Sequence, residues 1–142
     1  MHRLNLSQAN ALIDAAFAKG ADLGLKPLTV AVLDPGGYLI AAQRQDSCSN
    51  VRVKLAQGKA AGALALGVSS RAIGKMAEDR PHFVAAVDTM SEGGMVPAAG
   101  GVIVCDGAGT IVGAIGVTGD TSDNDEACAL AAIESVGLKA RT

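Results

Sequence analysis

Residues 28–43 read Leu-Thr-Val-Ala-Val-Leu-Asp-Pro-Gly-Gly-Tyr-Leu-Ile-Ala-Ala-Gln. The first six are an almost continuous apolar run, as a buried strand requires. Asp34-Pro35-Gly36-Gly37 is turn chemistry: proline presets φ and glycine allows the positive φ of a tight reversal. Residues 38–43 then return as a second strand, so the stretch predicts a β-hairpin. The same grammar recurs downstream. Residues 102–105 predict a strand, Asp106-Gly107-Ala108-Gly109 a turn, and residues 110–117 the partner strand. Gly107 to Gly113 imitates a dinucleotide fingerprint, but its spacing is GxGxxxG and β-branched strand sequence follows it. No helix N-terminus is offered to a phosphate, and the hairpin reading stands.

Helical segments flank the two hairpins. Residues 7–23 carry Ala9, Leu12, Ile13, Ala16, Phe17 and Gly20 on one face, with Ser7 as the expected N-cap, Gly24 as the stop and Pro27 preventing resumption. A second helix, capped by Ser49 or Asn50, runs to about Gly67 and carries Lys54 and Lys59. Ser69-Ser70 opens a third over 71–78, and Pro81 suits the first turn of a short helical piece over 81–90. The last helix begins near residues 121–123 and runs to Val136, where Gly137 is placed to end it. The order is α-β-β-α-α-β-β-α, with the short piece 81–90 added. Antiparallel pairs covered by helices make this an α+β chain, expected to form a single domain over residues 1–142.

The composition limits what such a chain does. In 142 residues there are 27 Ala and 18 Gly but only three aromatics, Phe17, Tyr38 and Phe83, so the core is built from small and aliphatic side chains. Without stacking platforms or a Lys/Arg run, and with a net charge of −2, the sequence argues against nucleic-acid binding. No apolar window reaches membrane-span length, and residues 1–5 lack the apolar core of a signal peptide. Cys48, Cys105 and Cys128 form no metal or redox spacing and read as reduced thiols. A cytoplasmic protein is expected.

Several polar groups are candidates for chemistry. Arg44 sits at a strand exit with Asp46 just beyond, and Lys59 lies mid-helix between Gly58 and Gly62, where a backbone or a ligand can come close. Cations beside glycine-rich segments suit a carboxylate; the plainer reading is a weak Arg44–Asp46 surface pair and a snorkelling Lys59. Asp120-Thr-Ser-Asp123-Asn-Asp125-Glu126 offers oxygen ligands but lacks the calcium-loop glycine and distal glutamate, and helix capping is the favoured reading. The glycines of residues 93–101 can form a nest of backbone N–H groups or a shaped turn. His2 and His82 are the only histidines, so no histidine-based metal triad exists within one chain, and no nucleophile elbow occurs.

Asp34-Pro-Gly-Gly-Tyr-Leu-Ile-Ala-Ala-Gln-Arg44-Gln-Asp46, Gly58-Lys59-Ala60-Ala61, Gly100-Gly101-Val102, and residues 111–129 (Ile-Val-Gly-Ala-Ile-Gly-Val-Thr-Gly-Asp-Thr-Ser-Asp-Asn-Asp-Glu-Ala-Cys-Ala) together resemble the GlcG/HbpS family. This is the haem-degrading or DUF336-like group that includes the C-terminal domain of PduO-type proteins. The resemblance runs from Ser7 to Leu138. It implies a profilin-like fold with a five-stranded antiparallel sheet flanked by helices, and homo-oligomers: dimers, tetramers or octamers. It also implies haem as a ligand in some members, and an association with catabolism in others. The sequence departs from haem-binding relatives: residues 3–24 hold no histidine, and the expected Gly-Gly-x-Pro-Ile reads Gly100-Gly101-Val102-Ile103-Val104, with the proline displaced to Pro97.

Three readings follow. In the favoured one the protein binds haem or a small carboxylate through Arg44, Asp46, Lys59, Gly100, Gly101 and Glu126, with His82 as candidate axial donor to haem. In the second it is a cofactor-independent isomerase or tautomerase of a carboxylated catabolic intermediate, where Arg44 or Lys59 holds the carboxylate and Asp46 or Glu126 moves the proton. In the third it is an oligomeric accessory protein without a ligand. The first two expect a pocket at the sheet end that joins Arg44, Lys59 and Gly100–Gly101.

Overall fold

The computed structural model describes residues 2–142. In chain order the elements are α1 (Leu6–Asp22), β1 (Thr29–Leu33), β2 (Leu39–Arg44), α2 (Arg52–Leu66), α3 (Ser70–Asp79), α4 (Pro81–Met90), β3 (Gly101–Cys105), β4 (Ile111–Thr118), α5 (Ser122–Ser135) and β5 (Lys139–Arg141). The five strands form one antiparallel sheet in the order β2-β1-β4-β3-β5. Both predicted hairpins form, and β1 joins them through β4, with Thr29 opposite Thr118 and Leu33 opposite Ala114. The α+β class and the five strands are therefore as expected.

Alternation along the central strands sorts the two faces. Val30, Val32, Val102, Val104, Ile115 and Val117 meet Leu12, Ile13 and Ala16 of α1 and Cys128, Ala129, Ala132 and Ile133 of α5 in the main core. On the other face Leu33 and Ala114 pack with Ala60 of α2. Here the small residues matter, because α2 lies almost on the sheet. A side chain at Gly116 would strike the Ala56 carbonyl. At Gly62 a Cβ would stand 3.2 Å from Cα of Met95. The partner that approaches Gly58 and Gly62 is thus the segment 93–96, not a ligand. That segment is a turn laid over α2, the plainer of its two readings.

Two boundaries and one strand differ from what the residue pattern predicts. The cap of α1 is Asn5 rather than Ser7. Its side chain accepts from Gln8 N at 2.8 Å while Gln8 Oε1 accepts from Asn5 N at 3.0 Å, a reciprocal box that starts the helix two residues earlier. At α2 neither Ser49 nor Asn50 caps; Val51 occupies the position with no side-chain bond, and the Ser49 main-chain carbonyl accepts Arg52 N just before it. The strand β5 was not visible in the residue pattern, since all three of its residues are exposed. Gly137 ends α5 as expected, at φ +75°.

Candidate functional site

The polar centre of the molecule is Lys59. Helix α2 carries it over the entry of β3 and the exit of β4, where it is 3% exposed. Its ammonium donates to the Val117 carbonyl at 3.0 Å and to Asp125 Oδ2 at 3.2 Å. Asp125, 1% exposed on the first turn of α5, also accepts Asp120 N at 3.0 Å through Oδ1. Burial pushes the lysine's pKa down, and the Arg52 guanidinium adds to this; the charge and hydrogen bond of Asp125 push it back up without prevailing.

Gly100 and Gly101 belong to this packing. Gly100 has φ +130°, a left-handed backbone that favours glycine, and a Cβ there would stand 2.8 Å from Lys59 Nζ. A Cβ on Gly101 would enter the Lys59 carbonyl, and the Gly101 N–H donates to Ser70 Oγ at 2.7 Å. These contacts leave no room for a ligand between the two glycines and the lysine.

The acidic stretch 120–126 divides its labour. Thr121 caps α5, accepting Asn124 N. Asp120 accepts first from the Asn124 amide and then from Lys26 N and Thr121 N, which hold its pKa at about 2. Glu126, its side chain 14% exposed, and the exposed Asp123 are both bound by Arg71. Sequence reasoning singled out Glu126, but the acid that meets Lys59 is its neighbour Asp125. Helical phase is the only signal that separates them: 125, 128, 129 and 132 share the buried face.

Arg44 and Asp46 lie elsewhere. They line a cleft of about 590 Å³ between the C-terminal end of α1 and the exit of β2, together with Phe17, Leu25, Lys26 and Leu28. Lys59 and Gly100–Gly101 do not line it, so the expected junction of all these residues in one pocket is not formed. The cleft pairs an apolar wall with Lys26, Asp46 and, at its rim, Arg44, whose side chain leaves the sheet on the same face as that of Thr29. Lys26 and Phe17 had not been assigned to a site from sequence; Lys26 is set there by Pro27 and by its backbone bond to Asp120.

A second row of polar groups lies on the α2 face. Thr29 is opposite both Arg44 and Thr118. The Thr29 hydroxyl donates to Cys48 Sγ at 3.2 Å, and Arg52 Nη1 donates to Thr118 Oγ1 at 2.8 Å. His82 is exposed on α4 and does not line the cleft. Among the described residues no group of three metal-ligating side chains converges, and no helix is long and apolar enough to cross a membrane.

A five-stranded antiparallel sheet with α1 and α5 on one face and α2 to α4 on the other, bearing a peripheral cleft, defines a small α+β protein. Its family follows from comparison: residues 4–134 match the family described as haem degrading protein HbpS-like, and the chain belongs to that family. Among solved structures, PduOC in complex with heme superposes at TM-score 0.85 with 21% identity, covering 99% of both chains. The Klebsiella pneumoniae protein ORFY, of family DUF336, gives TM-score 0.85 and 21% identity over 96% of this chain and 92% of its own. A double mutant of Streptomyces reticuli HbpS gives 0.82 and 26% over 96% and 89%. No curated protein matches the chain.

Proposed function

We propose that the protein binds a small amphipathic anion of the haem class in the cleft between α1 and β2. The observation that carries this reading is the lining of that cleft: Phe17, Leu25 and Leu28 supply an apolar wall, and Lys26 and Arg44 stand beside it. A porphyrin presents an apolar face and two propionates, and guanidinium and ammonium groups suit such carboxylates. At about 590 Å³ the cleft is in the range of small-molecule sites, on the order of 300–1,000 Å³. Membership of the family and the fold shared with a heme complex support the class of ligand.

The donor set fits a porphyrin better than it fits its iron. No histidine, cysteine or methionine lines the cleft, whereas a stable axial bond calls for such a donor. The ligand is therefore held by its faces and propionates, and Asp46 sets a limit on how much negative charge the cleft accepts. The enzymatic reading finds less support. Lys59 is sealed and bonded to Asp125, and Glu126 is bound by Arg71.

The test is a hemin titration followed in the Soret region. Saturable binding at one haem per chain is expected, weakened about tenfold by either Arg44→Ala or Lys26→Ala, in line with about 1.4 kcal/mol for one charge-assisted contact. His82→Ala should leave it unchanged. Loss of binding in His82→Ala alone would move the site to α4 and overturn the proposal, as would a response that never saturates.

A further inference from the structure

A second hollow opens at the other end of β2 from the cleft and shares no residue with it. Its volume is about 470 Å³, enough for a small organic molecule. Two turns and helix α2 line it. One is the hairpin turn between β1 and β2, where Asp34 Oδ1 accepts Gly36 N at 2.9 Å and Tyr38 N at 3.1 Å. The Tyr38 ring lies over Gly36, with ring carbons 3.2 Å from where a Cβ of that glycine would be. The other is the turn 91–94 that follows α4. There Ser91 Oγ donates to the Val87 carbonyl at 2.9 Å, Gly94 takes φ +81°, and a Cβ on Gly93 would stand 2.6 Å from Cβ of Ala61. Both turns are thus fixed by bonds and packing of their own, so a ligand pays little to order them.

The chemistry of the walls is one-sided. Leu39, Ala61 and Leu64 supply apolar surface, and Tyr38 adds an aromatic ring on a side chain that is 69% exposed. Glu92 is the one charged residue that lines the hollow, and it lines the adjoining space bordered by Leu33 and Gln57 as well. Lys54 and Asp88 border a further hollow beside Glu92, yet that lysine does not pair with it. Among the described residues Glu92 has no ion-pair partner at all.

We infer that this hollow binds an organic ammonium ion with a short apolar body. The Glu92 carboxylate receives the ammonium group, and the body lies against Leu39 and Leu64. The Tyr38 ring gives the cation a second electrostatic contact through its negative face. The same walls reject a carboxylate, because they would bring it beside Glu92 with no cation to offset the repulsion. The two sites of the molecule therefore select ligands of opposite charge.

The test is a ¹H–¹⁵N chemical-shift titration of the full chain with phenethylammonium chloride at low salt. A ligand of this size binds in the millimolar range. Saturable shifts confined to residues 33–39, 57–65 and 91–94 are expected. Glu92→Gln alters an exposed side chain and should weaken binding about tenfold, as should phenethyl alcohol in place of the amine. Tyr38→Ala should weaken it about threefold. Hydrocinnamate, which carries a carboxylate on a similar body, should not bind. Arg44→Ala should leave the affinity for the amine unchanged, which separates this site from the cleft. Equal affinity for amine and alcohol, a Glu92→Gln variant that binds as well as the wild type, or shifts that never saturate would each overturn the proposal. Shifts at these residues that follow protein concentration without amine would give the hollow to a second copy and overturn it too.

Discussion

Lys59 shows how a single residue can look like a site in sequence and act as a strut in the structure. Its ammonium ties β4 to α5 through Val117 and Asp125, inside a shell of glycines. Removing one partner of a buried pair leaves an uncompensated charge, so Lys59→Met is expected to cost about 3–5 kcal/mol in urea unfolding. The double change Lys59→Met/Asp125→Asn should cost clearly less than the sum of the single changes. The pH dependence has a definite sign. The lysine's folded-state pKa lies below 10.5, so in the window between the two values the unfolded chain holds a proton that the folded chain lacks. The contribution of Lys59 to stability therefore rises with pH through that window and levels off above 10.5. Asp120 behaves in the opposite range. Its pKa falls from 3.8 to about 2 on folding, so its contribution is complete above 3.8 and is lost as pH falls through 2. Asp120→Asn should flatten the acid side of the stability curve; an unchanged acid limb would show that its three hydrogen bonds contribute nothing.

At the level of elements, legibility followed the strength of local chemistry. Both hairpins could be read because Asp34-Pro35-Gly36-Gly37 and Asp106-Gly107-Ala108-Gly109 each specify a reversal between apolar runs. Asp34 and Asp106 indeed fold their carboxylates back onto the turn amides, Asp34 onto Gly36 and Tyr38 and Asp106 onto Ala108 and Thr110. The strand β5 could not be read from pattern. Lys139, Ala140 and Arg141 bury nothing, and only pairing with β3 makes them a strand. Their charges also guard that edge of the sheet. The sequence pattern puts the cap of α1 two residues late because serine and asparagine are both good caps and only the reciprocal bond to Gln8 decides between them. Asn5→Ala should therefore cost about 1 kcal/mol in thermal or urea unfolding, and Ser7→Ala close to nothing. Equal costs would mean that the box does not set the start of α1.

Across the whole molecule the sheet separates two tasks. Its inner face and the tight seat of α2 are structural, and the glycines that resemble a ligand loop serve that packing. The periphery carries the cleft at the ends of α1 and β2. Arg44 and Asp46 were legible as candidates because a charged pair at a strand exit interrupts apolar sequence. Their partners Phe17 and Lys26 were not, since only the tertiary approach of α1 to β2 brings them together. The central claim is that a porphyrin-like anion occupies this cleft without depending on an iron ligand. It is tested most directly by mapping ¹H–¹⁵N chemical-shift changes as iron-free protoporphyrin IX is added. The account predicts saturable shifts confined to residues 17–28 and 43–46. Shifts centred on His82 and its neighbours in α4, or none at all, would contradict it.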